Sequence, residues 1–172
     1  MDLSTLPTPT AEHFQQSFGS PPEKSLYITR GFLKAKFERD PIGQTKKKQS
    51  YIQELITLIE NKEIAFRQLM VSNETLTEVA ISLHRDYTEK EAEECLQEVL
   101  SNDVFNVIQT TEERFNEAAT HFKDTESKTP NFAEFIDYQV LCDEDISHVA
   151  TWDTDFTYFG EITMLPNVRW GT

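Results

Sequence analysis

Residues 131–156, NFAEFIDYQVLCDEDISHVATWDTDF, hold the pattern on which the fold depends. After Pro130 a helical period runs through Glu144, and Asn131 followed by Glu134 has the spacing of a capping box. His148 to Trp152 (HVATW) is a short β-prone run that empties into Asp153-Thr-Asp155-Phe156. A helix handing over to a strand that ends on carboxylates is an α/β unit with acids at the carboxyl end of its strand. The loop Asp153 to Gly160 then leads to a second short strand, Glu161 to Leu165 (EITML).

The same alternation repeats upstream. Ser25 to Ile28 (SLYI) reads as a strand, and Phe32, Leu33, Ala35 and Phe37 continue it into a brief helix or turn before Asp40, Pro41 and Gly43 break the chain. From Thr45 to Asn61 apolar residues recur at helical spacing, Tyr51, Ile52, Leu55 and Ile59 among them. Glu63 to Val71 (EIAFRQLMV) reads as a buried strand, and Ser72 and Asn73 cap a helix through about Arg85. Thr88 with Glu91 forms a capping box for the next helix, Val104 to Ile108 is a further strand, and Thr110 with Glu113 opens a helix ending near Lys123. This order specifies an α/β fold: a three-layer α/β/α sandwich around a mostly parallel sheet. Residues 1–23, with Pro7, Pro9, Pro21 and Pro22, read as an extended N-terminal arm, and 24–172 as one domain.

Composition narrows the class. The net charge of -14 argues by itself against a nucleic-acid partner, but it is unevenly spread. Residues 24–48 carry eight Lys and Arg against Glu38 and Asp40, a local balance of +6 on a body of -20. Such a segment is either a polyanion-docking edge or a solvated helix surface. No run approaches the roughly 18 apolar residues of a membrane span, and Met1 is not followed by a signal core, so the cytosol is the expected compartment. Cys95 and Cys142 have no disulfide or zinc spacing and read as half-buried helix residues. His13, His84, His121 and His148 form no ligand pair at helical spacing. Five glycines build no phosphate loop, and Ser72 lacks a nucleophile elbow.

In open α/β sheets, sites lie beyond the carboxyl ends of the strands. There the sequence places Glu78, Glu134 and Asp153, with Asp155 close behind. Hydrolysis of a phosphodiester near neutral pH calls for a hard divalent cation, and such a cation takes clustered oxygen ligands. Glu78, Glu134 and Asp153 are a candidate set, with Asp155 as a further ligand or support. Each also has an ordinary reading: Glu78 as an exposed helix residue, Glu134 as the capping partner of Asn131, Asp153 as the cap of a turn.

The segment Asn131 to Phe156 resembles the C-terminal half of PIN domains, in which an acid opens a helix and a strand runs into a Thr-aromatic-Asp-x-Asp-Phe turn. Leu69 to Leu83 (LMVSNETLTEVAISL) is similar to the strand and helix that carry that family's second acid, which maps to Glu78. The resemblance covers residues 25–166. It implies a Mg2+ or Mn2+ dependent endoribonuclease of the kind found in VapC-type toxins, with Glu78, Glu134 and Asp153 as metal ligands and catalytic acids and Asp155 beside them. RNA would dock along Arg30, Lys34, Lys36, Lys46, Lys47 and Lys48. An antitoxin or other protein partner and a homodimer are implied as well.

The first strand departs from that family. Where PIN domains typically have an Asp, Leu26-Tyr-Ile-Thr29-Arg30 places a hydroxyl that brings no charge to a dication, followed by a fixed cation that competes with it. Glu38 and Asp40, past a helical turn, are poor replacements. The expectation is therefore a nuclease scaffold with impaired metal binding, set against two others. One is an inactive PIN-like module that binds RNA or protein. The other is an unrelated acidic interaction protein.

Overall fold

Along β1 (Ser25–Ile28) the side chains alternate between two apolar layers: Leu26 and Ile28 join one buried cluster and Tyr27 another. A strand buried on both faces needs cover on both, and helices supply it. The computed structural model describes residues 10–13, 24–126 and 130–166. After β1 the elements are α1 (Arg30–Phe37), α2 (Gly43–Glu60), β2 (Gln68–Ser72), α3 (Asn73–Asp86), α4 (Glu89–Ser101) and β3 (Phe105–Ile108). Then come α5 (Glu112–Asp124), α6 (Phe132–Asp143), β4 (His148–Ala150), a 3-10 helix (Asp155–Phe159) and β5 (Thr163–Leu165).

All pairings in the five-stranded sheet are parallel, in the order β3-β2-β1-β4-β5. Helices α1 to α4 cover the face that holds Leu26, Ile28, Leu69 and Val71. On the other face, Val140 and Leu141 of α6 and Phe156 of the 3-10 helix pack on Tyr27, Met70 and Val149, and α5 packs on α6 through Ala118. The chain lays β2 and β3 to one side of β1, then crosses back to lay β4 and β5 on the other. Beyond β1 the chain turns to the first face, and beyond β4 the 3-10 helix packs Phe156 on the second, so a crevice opens between the carboxyl ends of the two strands.

Several local expectations shift. The strand expected over Glu63 to Val71 begins only at Gln68, because residues 63–67 turn and the Arg67 guanidinium takes the carbonyls of Ile64 and Phe66. Thr88 donates its hydroxyl to the Glu91 carboxylate rather than capping α4 through a backbone N–H. Thr111, not Thr110, caps α5, since Thr110 is spent on α3: its N–H goes to Asn73 and its hydroxyl to Glu74. The cysteines split, Cys95 being buried and Cys142 exposed. Of the expected arm over 1–23, only residues 10–13 are described; 11–13 are helical, and Ala11 packs on the first apolar cluster. Among the described residues no helix is long and apolar enough to cross a membrane.

The α2 face that meets the sheet includes Leu55 at 0% exposure, whereas Leu100 on α4 is 67% exposed. Leu55→Ala should lower the unfolding free energy by about 2–5 kcal/mol. Leu100→Ala should stay within about 0.5 kcal/mol of wild type, both read by urea denaturation.

Candidate functional site

The crevice is assembled from short-range bonds. Thr29 follows β1 and is 5% exposed; its N–H and its hydroxyl both donate to the Ala150 carbonyl of β4, at 3.1 and 3.3 Å. Past β4, Thr151 extends the ladder by donating its N–H to the Leu165 carbonyl at 2.9 Å. The Thr151 hydroxyl oxygen accepts the Asp153 N–H at 3.0 Å, and Asp153 Oδ1 accepts the Asp155 N–H at 3.0 Å, an Asx-type turn that holds both aspartates in one bend. Across from them, Asn131 and Glu134 form the expected capping box, with the Asn131 N–H donating to Glu134 Oε2 at 2.6 Å. Glu134, Asp153 and Asp155 thereby present carboxylate oxygens that all lie within 4.8 Å of one another. The turn cap and the capping box do not compete with the cluster; they are the means by which it is held.

Burial raises the Glu134 pKa above the usual carboxylate value, and Asp153 and Asp155 raise it further, opposed by the Asn131 N–H and by Arg30. Asp155 is pushed up for the same reasons, burial first and Asp153 second. Three acids with like charge and only oxygen donors fit a hard dication, which relieves the repulsion that their own geometry creates. The surrounding cleft, about 570 Å³, is walled by Arg30, Lys34 and Lys48 as well as by Glu134, Trp152 and Asp153.

The structure brings together only part of the expected set. Asp155 joins Glu134 and Asp153, while Glu78 stands outside the cluster in an ion pair with Arg30 at 3.3 Å. Of the expected basic edge, Arg30, Lys34 and Lys48 face the cleft, and Lys48 lies over the Trp152 ring at 5.3 Å. Lys34 also pairs with Asp86 at 2.7 Å. Lys36 points elsewhere, to Glu98 at 3.0 Å, in a hollow lined by α1, α2 and α4. Lys46 and Lys47 are exposed on α2. Trp152 stacks on Phe32 with ring centroids 4.7 Å apart and meets Tyr51 edge-on, which anchors the loop after β4 to α1 and α2.

By sequence alone the chain matches no family model and no curated protein. Its fold matches several solved structures, two of which follow. VapC20 of Mycobacterium tuberculosis, a sarcin–ricin loop cleaving toxin, superposes with a TM-score of 0.64 at 18% identity, over 78% of this chain and 95% of that one. VapBC2 of Rickettsia felis, bound to a DNA fragment from its promoter, gives 0.57 at 13% identity, over 81% and 96%. The chain has a PIN-like fold. At these identities the likeness is one of architecture, and the site has to be argued from its own residues.

Beneath the acids of this PIN-like crevice lies a carboxylate that sequence reading passed over. Asp137, 4% exposed on α6, accepts at Oδ1 from the Tyr27 hydroxyl (2.5 Å), the Ser72 hydroxyl (3.0 Å) and the Thr75 hydroxyl (2.8 Å). The signal was a charge on the helix face that carries Phe135, Ile136, Val140 and Leu141, since a buried acid needs partners. Burial pushes its pKa up from 3.8 to about 6, against the pull of the three hydroxyls, with the Glu78 charge adding to the rise. Tyr27 moves well above its ordinary 10, through burial and the Asp137 charge, and so stays a donor.

A carboxyl that titrates at about 6 in the fold and 3.8 in the open chain favours folding below pH 3.8, by up to about 3 kcal/mol, and loses that contribution as pH rises through 6. Asp137→Asn has no proton to lose. Its stability relative to wild type should therefore improve by up to about 3 kcal/mol between pH 4 and pH 7.5 in urea unfolding. Parallel pH profiles would contradict this.

Proposed function

We propose that the chain is a PIN-like, divalent-metal-dependent endoribonuclease scaffold whose cation site is weakened by the absence of an acid at Thr29. The observation that carries this reading is the convergence of Glu134, Asp153 and Asp155 at the β1/β4 crevice, the switch point of the sheet. These three residues would hold Mg2+ or Mn2+. The ion would supply a Lewis acid that offsets phosphate charge and makes water a stronger nucleophile.

The protein's own groups bind and orient the substrate. Arg30, Lys34 and Lys48 give the cleft a cationic wall for a phosphodiester, and exposed Lys46 and Lys47 continue it along α2 for flanking phosphates. Asp155 does double duty, as a third oxygen donor and as the residue whose N–H fixes Asp153. Arg30 sets a limit on activity: it ties Glu78 away from the cluster and places a permanent charge where a metal would gain from none. An antitoxin as protein partner is supported by the fold shared with VapC20 and VapBC2, and RNA as substrate and a homodimer are further parts of the same reading.

The Arg30–Glu78 pair favours one second reading, a module that grips RNA without cutting it. Incubation of single-stranded RNA with Mn2+ separates the two. Cleavage that falls about a hundredfold or more in a Glu134→Gln, Asp153→Asn double variant supports the nuclease. Cleavage absent in the wild type but gained with Thr29→Asp assigns a disabled centre on the same scaffold. Cleavage that persists unchanged in the double variant removes the proposed site.

A further inference from the structure

The bonds around Asp137 have a fixed direction. The Tyr27 hydroxyl oxygen accepts the Ser72 N–H at 3.2 Å, and the Ser72 hydroxyl oxygen accepts the Thr75 N–H at 3.1 Å. Each hydroxyl is thus already an acceptor, and its own proton goes to Asp137 Oδ1. One oxygen atom collects donors from β1, from the β2–α3 junction and from the first turn of α3. The helix that carries this acceptor, α6, carries Glu134 one turn earlier, at the rim of the crevice. Among the hydrogen bonds described, these from Ser72 and Thr75 are the ones that join α3 to α6.

We infer that Asp137 is the positioning residue of the crevice: by gathering Tyr27, Ser72 and Thr75 on one oxygen, it sets the first turn of α6 and hence where Glu134 meets Asp153 and Asp155. This rests on the reading of those three acids as the working site. A cation site tolerates little error in its ligands, so the groups that orient them matter nearly as much as the ligands themselves. Glu134 is held locally by its capping box, which fixes its rotamer relative to α6 but not the place of α6 on the sheet. The Asp137 bonds supply that second constraint. An acceptor oxygen is what the three hydroxyls need, and an amide oxygen offers the same, so the role is separable from charge.

Three variants and a control decide it, each measured in folded protein. Asp137→Asn keeps the acceptor, Asp137→Ala removes it, Tyr27→Phe removes one donor, and Val140→Ala opens a cavity on the same helix, beside Tyr27, without removing any hydrogen bond of the network. The readouts are Mn2+ affinity, by electron paramagnetic resonance of the free ion, and the 13C signal of the Glu134 carboxyl at fixed pH without metal. Asp137→Ala should weaken Mn2+ binding by about tenfold or more and displace the Glu134 signal. Tyr27→Phe should act in the same direction and carries the test if Asp137→Ala does not fold. Asp137→Asn and Val140→Ala should leave both readouts as in wild type. The inference is overturned if Asp137→Ala, or Tyr27→Phe in its place, leaves the Glu134 signal unmoved, or if Val140→Ala moves it equally. Should the wild type bind no Mn2+, the metal reading of the crevice fails by itself, and the Glu134 signal still decides the positioning role.

Discussion

Everything at the crevice depends on β4 lying beside β1. That pairing is short, Tyr27 opposite Val149 and Ile28 opposite Ala150, and Thr29 extends it by giving two hydrogen bonds to the Ala150 carbonyl. It places the segment after β4, which carries Asp153 and Asp155, next to the start of α1, which carries Arg30. It also puts α6, the element before β4, on the face of the sheet opposite α1 to α4, with its acidic first turn at the rim. Residues separated by more than a hundred positions along the chain therefore share one cleft, and Glu134 reaches it from the face of the sheet opposite the helices that carry Arg30, Lys34 and Lys48.

The electrostatic character of the cleft follows from that meeting. Asp153 and Asp155 raise the cost of ionising Glu134, and Asp153 raises that of Asp155, while Arg30 lowers it for Glu134 and holds Glu78 in an ion pair. Both partners of that pair are well exposed, so the bond itself adds little stability. Its effect is geometric: it keeps Glu78 turned to a cation the protein already owns. Thr29, with its hydroxyl proton on Ala150, contributes structure where an acid would contribute charge.

Periodicity exposed much of this fold, because the helices that cover the sheet are amphipathic and the strands are short apolar runs between turn residues. The capping box of Asn131 and Glu134 was visible for a local reason: both halves lie within one turn. Local signals misled where a long-range contact recruited the same side chain. Thr110 looked like a cap but is bonded to Asn73 and Glu74, and the β-prone run before Gln68 turns around the Arg67 guanidinium. The site shows the same division. Position after a strand pointed to carboxylates at the crevice, but spacing along the chain carries no information on which of them touch. Capture of Glu78 by Arg30 spans 48 positions and the Asp137 network up to 110, and no pattern within one segment encodes either.

Glu134, Asp153 and Asp155, without Glu78, are the carboxylates proposed to hold the cation. Anomalous diffraction at the manganese edge, from crystals grown with Mn2+, tests this assignment most directly. One peak is expected within bonding distance of those three carboxylates, with Glu78 still paired to Arg30. A peak ligated by Glu78, or density nowhere in the crevice at saturating Mn2+, would contradict the assignment.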